Sequence, residues 1–206
     1  MEKALLLIPF VSLCGTIFVA AAPAETVGER LYLGINGGAT FMQDLTFKDD
    51  LGSGKLRFDP GFRLDVAGGY DFTDWLAGEI ETGFTINIAK AISEDGFERN
   101  SLVMFQVPIM ANLRYRVPVR CRLRPFIGAG AGGVYTSLEN DSLFANDQTG
   151  HDFVFGYQAF AGVHYQLNPK LEMGLQYKFM GTGQHHFENL GQTMTHAVSV
   201  SFALRF

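Results

Sequence analysis

The chain has 206 residues, 47% of them hydrophobic and 13% aromatic, with 24 glycines, 18% charged residues and a net charge of −5. That is one domain's worth of sequence with enough apolar content to exclude a disordered chain, and its acidic balance excludes a nucleic-acid-binding surface.

The first segment reads as a leader. Met1 to Lys3 form a short polar start, Ala4 to Ala22 an apolar run, and Ala22-Pro23-Ala24 supplies small residues where a signal peptidase cuts. Cleavage is expected after Ala24, leaving residues 25–206 as the mature domain. A retained membrane helix is the rival reading, and Pro9 counts against it. Lipidation of Cys14 is disfavoured by the bulky Leu13 before it. Export removes Cys14, so Cys121 is left alone and no internal disulfide is expected.

The mature segment alternates in hydropathy with a period of two. Leu31, Leu33 and Ile35 alternate with Tyr32, Gly34, Asn36 and Gly38. Phe62, Leu64, Val66 and Tyr70 alternate with Arg63, Asp65, Ala67 and Gly69. Leu76, Ile80, Phe84, Ile86 and Ile88 oppose Glu79, Glu81, Gly83, Thr85 and Asn87. Val103, Phe105, Val107, Ile109, Leu113 and Tyr115 oppose Gln106, Asn112, Arg114 and Arg116. Pro108 interrupts this fourth run, and a bulge or a missing bond is expected there. The fifth run, Pro125 to Ser137, is glycine-rich and its parity is not legible. Phe153, Phe155, Tyr157, Val163 and Tyr165 oppose Gly156, Gln158, Gly162, His164 and Gln166, and Leu171, Met173, Leu175, Tyr177 and Phe179 oppose Glu172, Gly174, Gln176 and Lys178. The last run, Thr193 to Phe206, keeps Val198, Val200, Phe202, Leu204 and Phe206 on one parity and Arg205 on the other. Such a strand cannot be left as an open edge, so closure onto the first strand is expected.

Eight strands result, each near the roughly 9 to 11 residues a tilted membrane strand needs. Short connections fall near Asp71 to Asp74, Val117 to Leu123 and Leu167 to Lys170. Long ones fall at Met42 to Pro60, Ala89 to Ser101, Thr136 to Asp152 and Gly181 to Gln192. Every long connection therefore sits at one end, with both termini of the mature domain at the other. The expected fold is all-β, an eight-stranded antiparallel up-and-down transmembrane β-barrel preceded by a cleaved signal peptide.

Volume chooses the inward face. Eight strands enclose room for little more than side chains, and the Phe- and Tyr-bearing parity is too bulky to turn inward. The other parity is small, interleaved with Arg63, Asp65, Glu79, Glu81, Arg114, Arg116, Glu172, Lys178 and Arg205, five cations and four anions. In a narrow lumen these are expected to pair and plug it, since an unpaired buried charge is very costly. A soluble ligand-binding barrel, turned the other way, would leave the strand glycines unexplained.

Val107 to Tyr115 (VPIMANLRY), Arg124 to Gly132 (RPFIGAGAG), Gly156 to Gly162 (GYQAFAG) and the terminal Phe206 resemble the small eight-stranded outer-membrane barrels, the group of the OmpA transmembrane domain, OmpX and porin-family or surface-antigen barrels. The resemblance spans nearly the whole mature chain and implies the outer membrane of a Gram-negative cell envelope. It also implies that Val198, Val200, Phe202, Leu204 and Phe206 form the signal read by the barrel assembly machinery. No cell-wall-binding domain of the kind that follows the OmpA barrel is expected.

Chemistry-bearing residues have plain readings. Gly128, Gly130 and Gly133 fit G-x-G-x-x-G, but no helix pattern follows. Asp65, Glu79 and Glu81 could act as an acid–base pair only if substrate entered the lumen. His151, His185, His186 and Glu188 lie on outer connections, where a surface metal site is conceivable and solvation is the default. His196 occupies the place of a catalytic histidine in barrel-form lipid A deacylases, yet Val198 stands where their serine would be. No catalytic residue, cofactor or metal is therefore expected. The four long connections hold twelve acidic residues against five basic ones, an outer end suited to divalent cations shared with lipopolysaccharide or to an extracellular or host ligand. Arg116, Arg120, Arg122 and Arg124 cluster at an inner turn, where anionic lipid could bind. The expected role is structural or surface-interacting, in a monomer without nucleic-acid partners. A lipid-modifying enzyme and a small low-conductance channel are the alternatives.

Overall fold

The structure is a computed structural model, and it describes residues 30–49, 52–92, 98–119, 121–140, 150–183 and 192–206. The expected leader lies outside the described residues. Ten strands follow in order: β1 (Leu31–Met42), β2 (Leu45–Asp49), β3 (Gly52–Phe58), β4 (Gly61–Asp71), β5 (Leu76–Ile92), β6 (Glu98–Arg116), β7 (Leu123–Asn140), β8 (Gly150–Gln166), β9 (Leu171–Thr182) and β10 (Met194–Arg205). Eight of them, β1 and β4 to β10, pair antiparallel in a closed ring, with β10 on β1 and β5 on β6. The other two, β2 and β3, are a hairpin within the first long connection, joined to the ring where Lys55 to Phe58 pair with Ala89 to Ile92.

Followed along the cross-strand pairs, the ladder from Leu33 passes Gly68, Ile80, Ala111, Ala131, Tyr157, Gly181 and Met194, whose carbonyl oxygen accepts from the Gln43 N–H at 3.0 Å. The path re-enters β1 ten residues beyond its start, at Gln43 instead of Leu33. That offset over eight strands sets a tilt of roughly 40° and a tube that side chains can fill. Curvature this tight needs glycine where neighbouring strands close in. A Cβ at Gly83 would stand 2.1 Å from the Leu64 carbonyl oxygen, and one at Gly174 1.9 Å from that of Val163.

Alternation holds around the ring: Ile80, Leu113, Phe155, Leu175 and Phe202 are exposed on the outside, while Arg63, Glu79, Arg114 and Lys178 are buried within. At Pro108 the structure shows the missing bond and not the bulge: Thr82 with Ile109 and Thr85 with Gln106 share one register, and the pairs between them are lost. Thr82 Oγ1 instead donates to the Pro108 carbonyl oxygen at 3.0 Å. The register shift in this pair of strands lies at Lys90/Ala91.

One expectation is corrected: the described residues of the connections Ala89 to Ser101 and Thr136 to Asp152, namely 89–92, 98–101, 136–140 and 150–152, are strand. β5, β6, β7 and β8 run for 17, 19, 18 and 17 residues, against 12, 11, 12 and 12 for β1, β4, β9 and β10. Counted from the level of the short turns, one side of the barrel therefore stands roughly 15 Å taller than the other. The hairpin β2–β3 continues that wall.

Candidate functional site: the lumen and its two ends

Because side chains alternate and the tube is narrow, every inward residue must pack against inward residues of other strands. Which ones meet depends on the register. Asp65 and Arg63 on β4, Glu81 on β5 and Lys178 on β9 reach one level and form a central tier. Arg63 Nε donates to both Asp65 oxygens at 2.8 Å, and Arg63 Nη2 lies 3.4 Å from Glu81 Oε1. Lys178 Nζ donates to Asp65 Oδ2 at 2.9 Å and also to Glu81 Oε1. Asn112 and Gln158 amides each donate to Glu81 at 3.2 Å. Two cations and two anions cancel, which is the condition for holding them out of water.

Toward the short turns comes an aromatic layer that composition alone did not reveal. Phe126, Phe160 and Tyr32 point inward and are buried. The Arg114 guanidinium lies 4.6 Å from the Phe126 ring centre and 5.7 Å from those of Phe160 and Tyr32, a cation–π setting strengthened by desolvation. Arg114 also pairs with Glu79 at 3.0 Å, and Tyr32 Oη donates to the same carboxylate at 2.6 Å. The lumen is thus not filled by small and charged residues only, as the sequence suggested. Phe126 stands just before the glycine run, where both parities are small and carry no signal.

The lowest tier closes the end where the short turns lie. Asp71 accepts from Arg116 and Arg205, and Glu172 accepts from Arg205 Nε at 3.4 Å and forms an ion pair with Arg124 Nη1 at 3.3 Å. Of the nine lumen charges named from sequence, Arg63, Asp65, Glu81 and Lys178 meet in one tier, Arg114 and Glu79 in a second, and Arg205 and Glu172 in the third. Arg116 finds Asp71, a residue the sequence reading assigned to a turn. Counting the β4 alternation on from Asp65 through Ala67 and Gly69 reaches Asp71, so its inward parity was readable.

His164 bridges two partners, with Nδ1 3.3 Å from Glu172 Oε2 and Nε2 2.8 Å from Ser201 Oγ. Serine, histidine and carboxylate in series have the order of a nucleophile, base and orienting group. Ser201 is 1% exposed and His164 2%, however, inside packed tiers that no substrate carbonyl reaches. The chain of bonds satisfies a buried histidine.

Above the central tier, Met110, Val134, Val154 and Met180 form an apolar layer. A collar of amides and hydroxyls follows, with Thr40 donating to Asn87 at 3.1 Å and Gln106 reaching Thr136 at 3.3 Å and Thr193 at 3.4 Å.

On the outer wall, His196 lies near the tall end with Nδ1 2.6 Å from Tyr177 Oη and Nε2 3.3 Å from Gln43 Nε2. Its ring sits 5.3 Å from Phe179, within an aromatic girdle that includes Phe41 and Tyr157. His151 lies against the Tyr135 ring at 6.3 Å, while His185, His186 and Glu188 are outside the described residues. Gly128, Gly130 and Gly133 are mid-strand in β7, where a Cβ at Gly128 would meet the Phe160 ring. Val198, Val200, Phe202, Leu204 and Phe206 form one exposed file on the outside of β10 and its end.

The sequence matches the family model described as outer membrane protein beta-barrel domain over residues 10–206. Among curated proteins none matches. Among solved structures, Neisserial surface protein A (NspA) is 15% identical, with a TM-score of 0.60 over 85% of this chain and 97% of its own. The outer membrane protein OprG from Pseudomonas aeruginosa is 14% identical, with a TM-score of 0.60 over 88% of this chain and 99% of its own. At such identities the likeness is one of fold, and the family match together with the closed ring of lipid-facing strands makes the chain a member of the outer membrane protein beta-barrel family, resident in the outer membrane.

Proposed function

We propose that this barrel is a non-catalytic envelope protein that works at the cell surface, with its lumen serving as a plug that stiffens the scaffold. The observation that carries this reading is the unequal height of the wall. Strands β5 to β8 are 17 to 19 residues long where 11 or 12 suffice for the rest of the ring. A span of hydrocarbon needs roughly 9 to 11 residues, so the additional strand length has no use in the membrane. It presents a sheet, widened by β2 and β3, to the outside. The name of NspA describes a surface protein, and a similar placement fits this chain. The acidic connections at that end suit a cationic partner or divalent ions shared with lipopolysaccharide.

The paired tiers argue against a channel, and His196, bonded to Tyr177 with Val198 two residues on, lacks the nucleophile of a lipid-modifying enzyme. For the file from Val198 to Phe206, recognition by the barrel assembly machinery is the role we assign. The test of the surface role shortens β5–β6 and β7–β8 to the height of β9 and rejoins them with tight turns. Cells carrying this variant should keep a heat-modifiable barrel but lose adhesion to epithelial monolayers or resistance to detergent. Unchanged adhesion and unchanged detergent resistance would remove the surface role. Open-pore conductance of the purified protein in planar bilayers would remove the plug.

A further inference from the structure

We infer that the periplasmic end of the barrel binds one anionic phospholipid, with its phosphate among Arg30, Arg124 and Arg205 and an acyl chain in a groove on the adjoining outer wall. Two separate features meet there. The first is a polar hollow of about 130 Å³ at the mouth, lined by Thr73 and the charged side chains of Arg30, Asp71, Asp74, Arg116, Arg124 and Arg205. By liquid volume it has room for roughly four waters, which suits a single phosphate group. Its lining carries four guanidiniums and two carboxylates, Asp71 is shared between Arg116 and Arg205, and Glu172 beneath it faces Arg124 and Arg205, which leaves four cations against three anions. Arg30 spends one amino group on the Phe72 carbonyl oxygen at 3.2 Å, and Arg124 reaches Gln166 at 2.8 Å and Glu172 at 3.3 Å. Each guanidinium has five N–H donors, more than these acceptors take up among the described residues. The surplus of charge and donors is complementary to an oxyanion.

The second feature is an apolar depression of about 630 Å³ on the outer wall, lined by Leu31, Leu33, Gly68, Phe72, Gly78 and Phe206 among others. Its floor is open because Gly68 faces outward with nothing within 4 Å of where a Cβ would stand. The two features are one residue apart on two strands. Arg30 lines the hollow and Leu31 the groove; Asp71 lines the hollow and Phe72 the groove. A charged site and an apolar site divided by a single residue match the junction of headgroup and hydrocarbon in an amphiphile. Phe72, Trp75, Tyr115 and Phe206, exposed at this level, mark the depth of the interface. Arg122 and Lys170, exposed on the neighbouring turns, add attraction for an anionic headgroup. The sequence had grouped Arg116, Arg120, Arg122 and Arg124. The tertiary structure instead turns Arg116 onto Asp71 and brings Arg30 and Arg205 beside Arg124.

The test uses the mature barrel in a nonionic detergent, titrated with dilauroyl phosphatidylglycerol, dilauroyl phosphatidylcholine or inorganic phosphate. Native mass spectrometry reads lipid retention and NMR reads the amides of residues 121–124 and 126. One phosphatidylglycerol should be retained per barrel, with phosphatidylcholine weaker by about tenfold or more. Arg30→Gln with Arg124→Gln should weaken phosphatidylglycerol by roughly tenfold. Gly68→Leu fills the groove without touching the hollow, so it should weaken the lipid and leave the phosphate-induced shifts unchanged. Heat-modifiable mobility reports closure of each variant, and Arg30→Gln alone, just before β1, serves where the double variant does not close. Equal retention of the two lipids, or retention unaffected by either variant, overturns the site. Binding of inorganic phosphate without phosphatidylglycerol also overturns it, as the mark of a free oxyanion site.

Discussion

Replacing Lys178 with methionine removes one of two cations from the central tier while nearly conserving volume. Asp65 and Glu81 would then share Arg63 alone, two carboxylates against one guanidinium, with none of the three side chains more than 2% exposed. Removing one partner from a buried ionic cluster costs about 3–5 kcal/mol, most of it the desolvation of the charge left behind. Glu81→Gln alone leaves Lys178 with Asp65 and costs a comparable amount, since the tier then holds an excess cation. The double variant restores neutrality. Arg63 keeps Asp65 at 2.8 Å, a glutamine carbonyl oxygen at position 81 can still accept from the amides of Asn112 and Gln158, and stability should return to within about 1 kcal/mol of the parent. The resulting coupling, about 5 kcal/mol or more when the two single costs are set against the double, is measurable by a double-mutant cycle. Urea unfolding in lipid vesicles would be followed by the fluorescence of Trp75, the chain's one tryptophan, which lies 46% exposed on the outer wall. A cost below about 1 kcal/mol for Lys178→Met would mean that water screens the tier as it screens a surface pair, and the account of a sealed plug would fail.

Gly69→Ala should destabilise by about 2 kcal/mol, because its Cβ would stand 2.1 Å from the Tyr32 ring that also holds Glu79. Gly68→Ala, whose Cβ meets open space, should stay within about 0.5 kcal/mol; equal effects in the same unfolding assay would refute the packing of that ring over glycine. Val200→Arg places a cation halfway along the outer face of β10 and should cost about 2–4 kcal/mol in a bilayer. A cost near zero would put that face outside hydrocarbon. Cys121, partly exposed in the connection between β6 and β7, should react with a membrane-impermeant maleimide only after the outer membrane is opened. Labelling of intact cells would invert the orientation.

Much of this protein was readable one strand at a time. Leu31 to Ile35 or Val198 to Phe206 declare an outside and an inside because successive side chains on a strand point to opposite faces, whatever the strand pairs with. The eight barrel strands and the nine charges on their inward parity follow from that local rule. It weakens where local contrast is missing. Both parities of Gly128 to Gly133 are small, so Phe126 gave no sign of standing inside. The upper parts of β5 to β8 read as connections because strand outside hydrocarbon has no need to alternate apolar with polar.

The class of fold was legible from alternation within each strand, and the face that meets lipid from the small volume that eight strands enclose, into which only the smaller parity fits; the outer membrane followed from the resemblance of the segments from Val107 to Phe206. Only the tertiary structure decided which lumen charges share a tier. Arg116 and Asp71 are 45 residues apart and Arg205 and Asp71 134; they meet because the ten-residue offset on closing the ring sets the level of every inward side chain against every other. That offset belongs to the closed ladder as a whole, and no single strand carries it. The same closure places Arg30, Arg124 and Arg205 around one hollow.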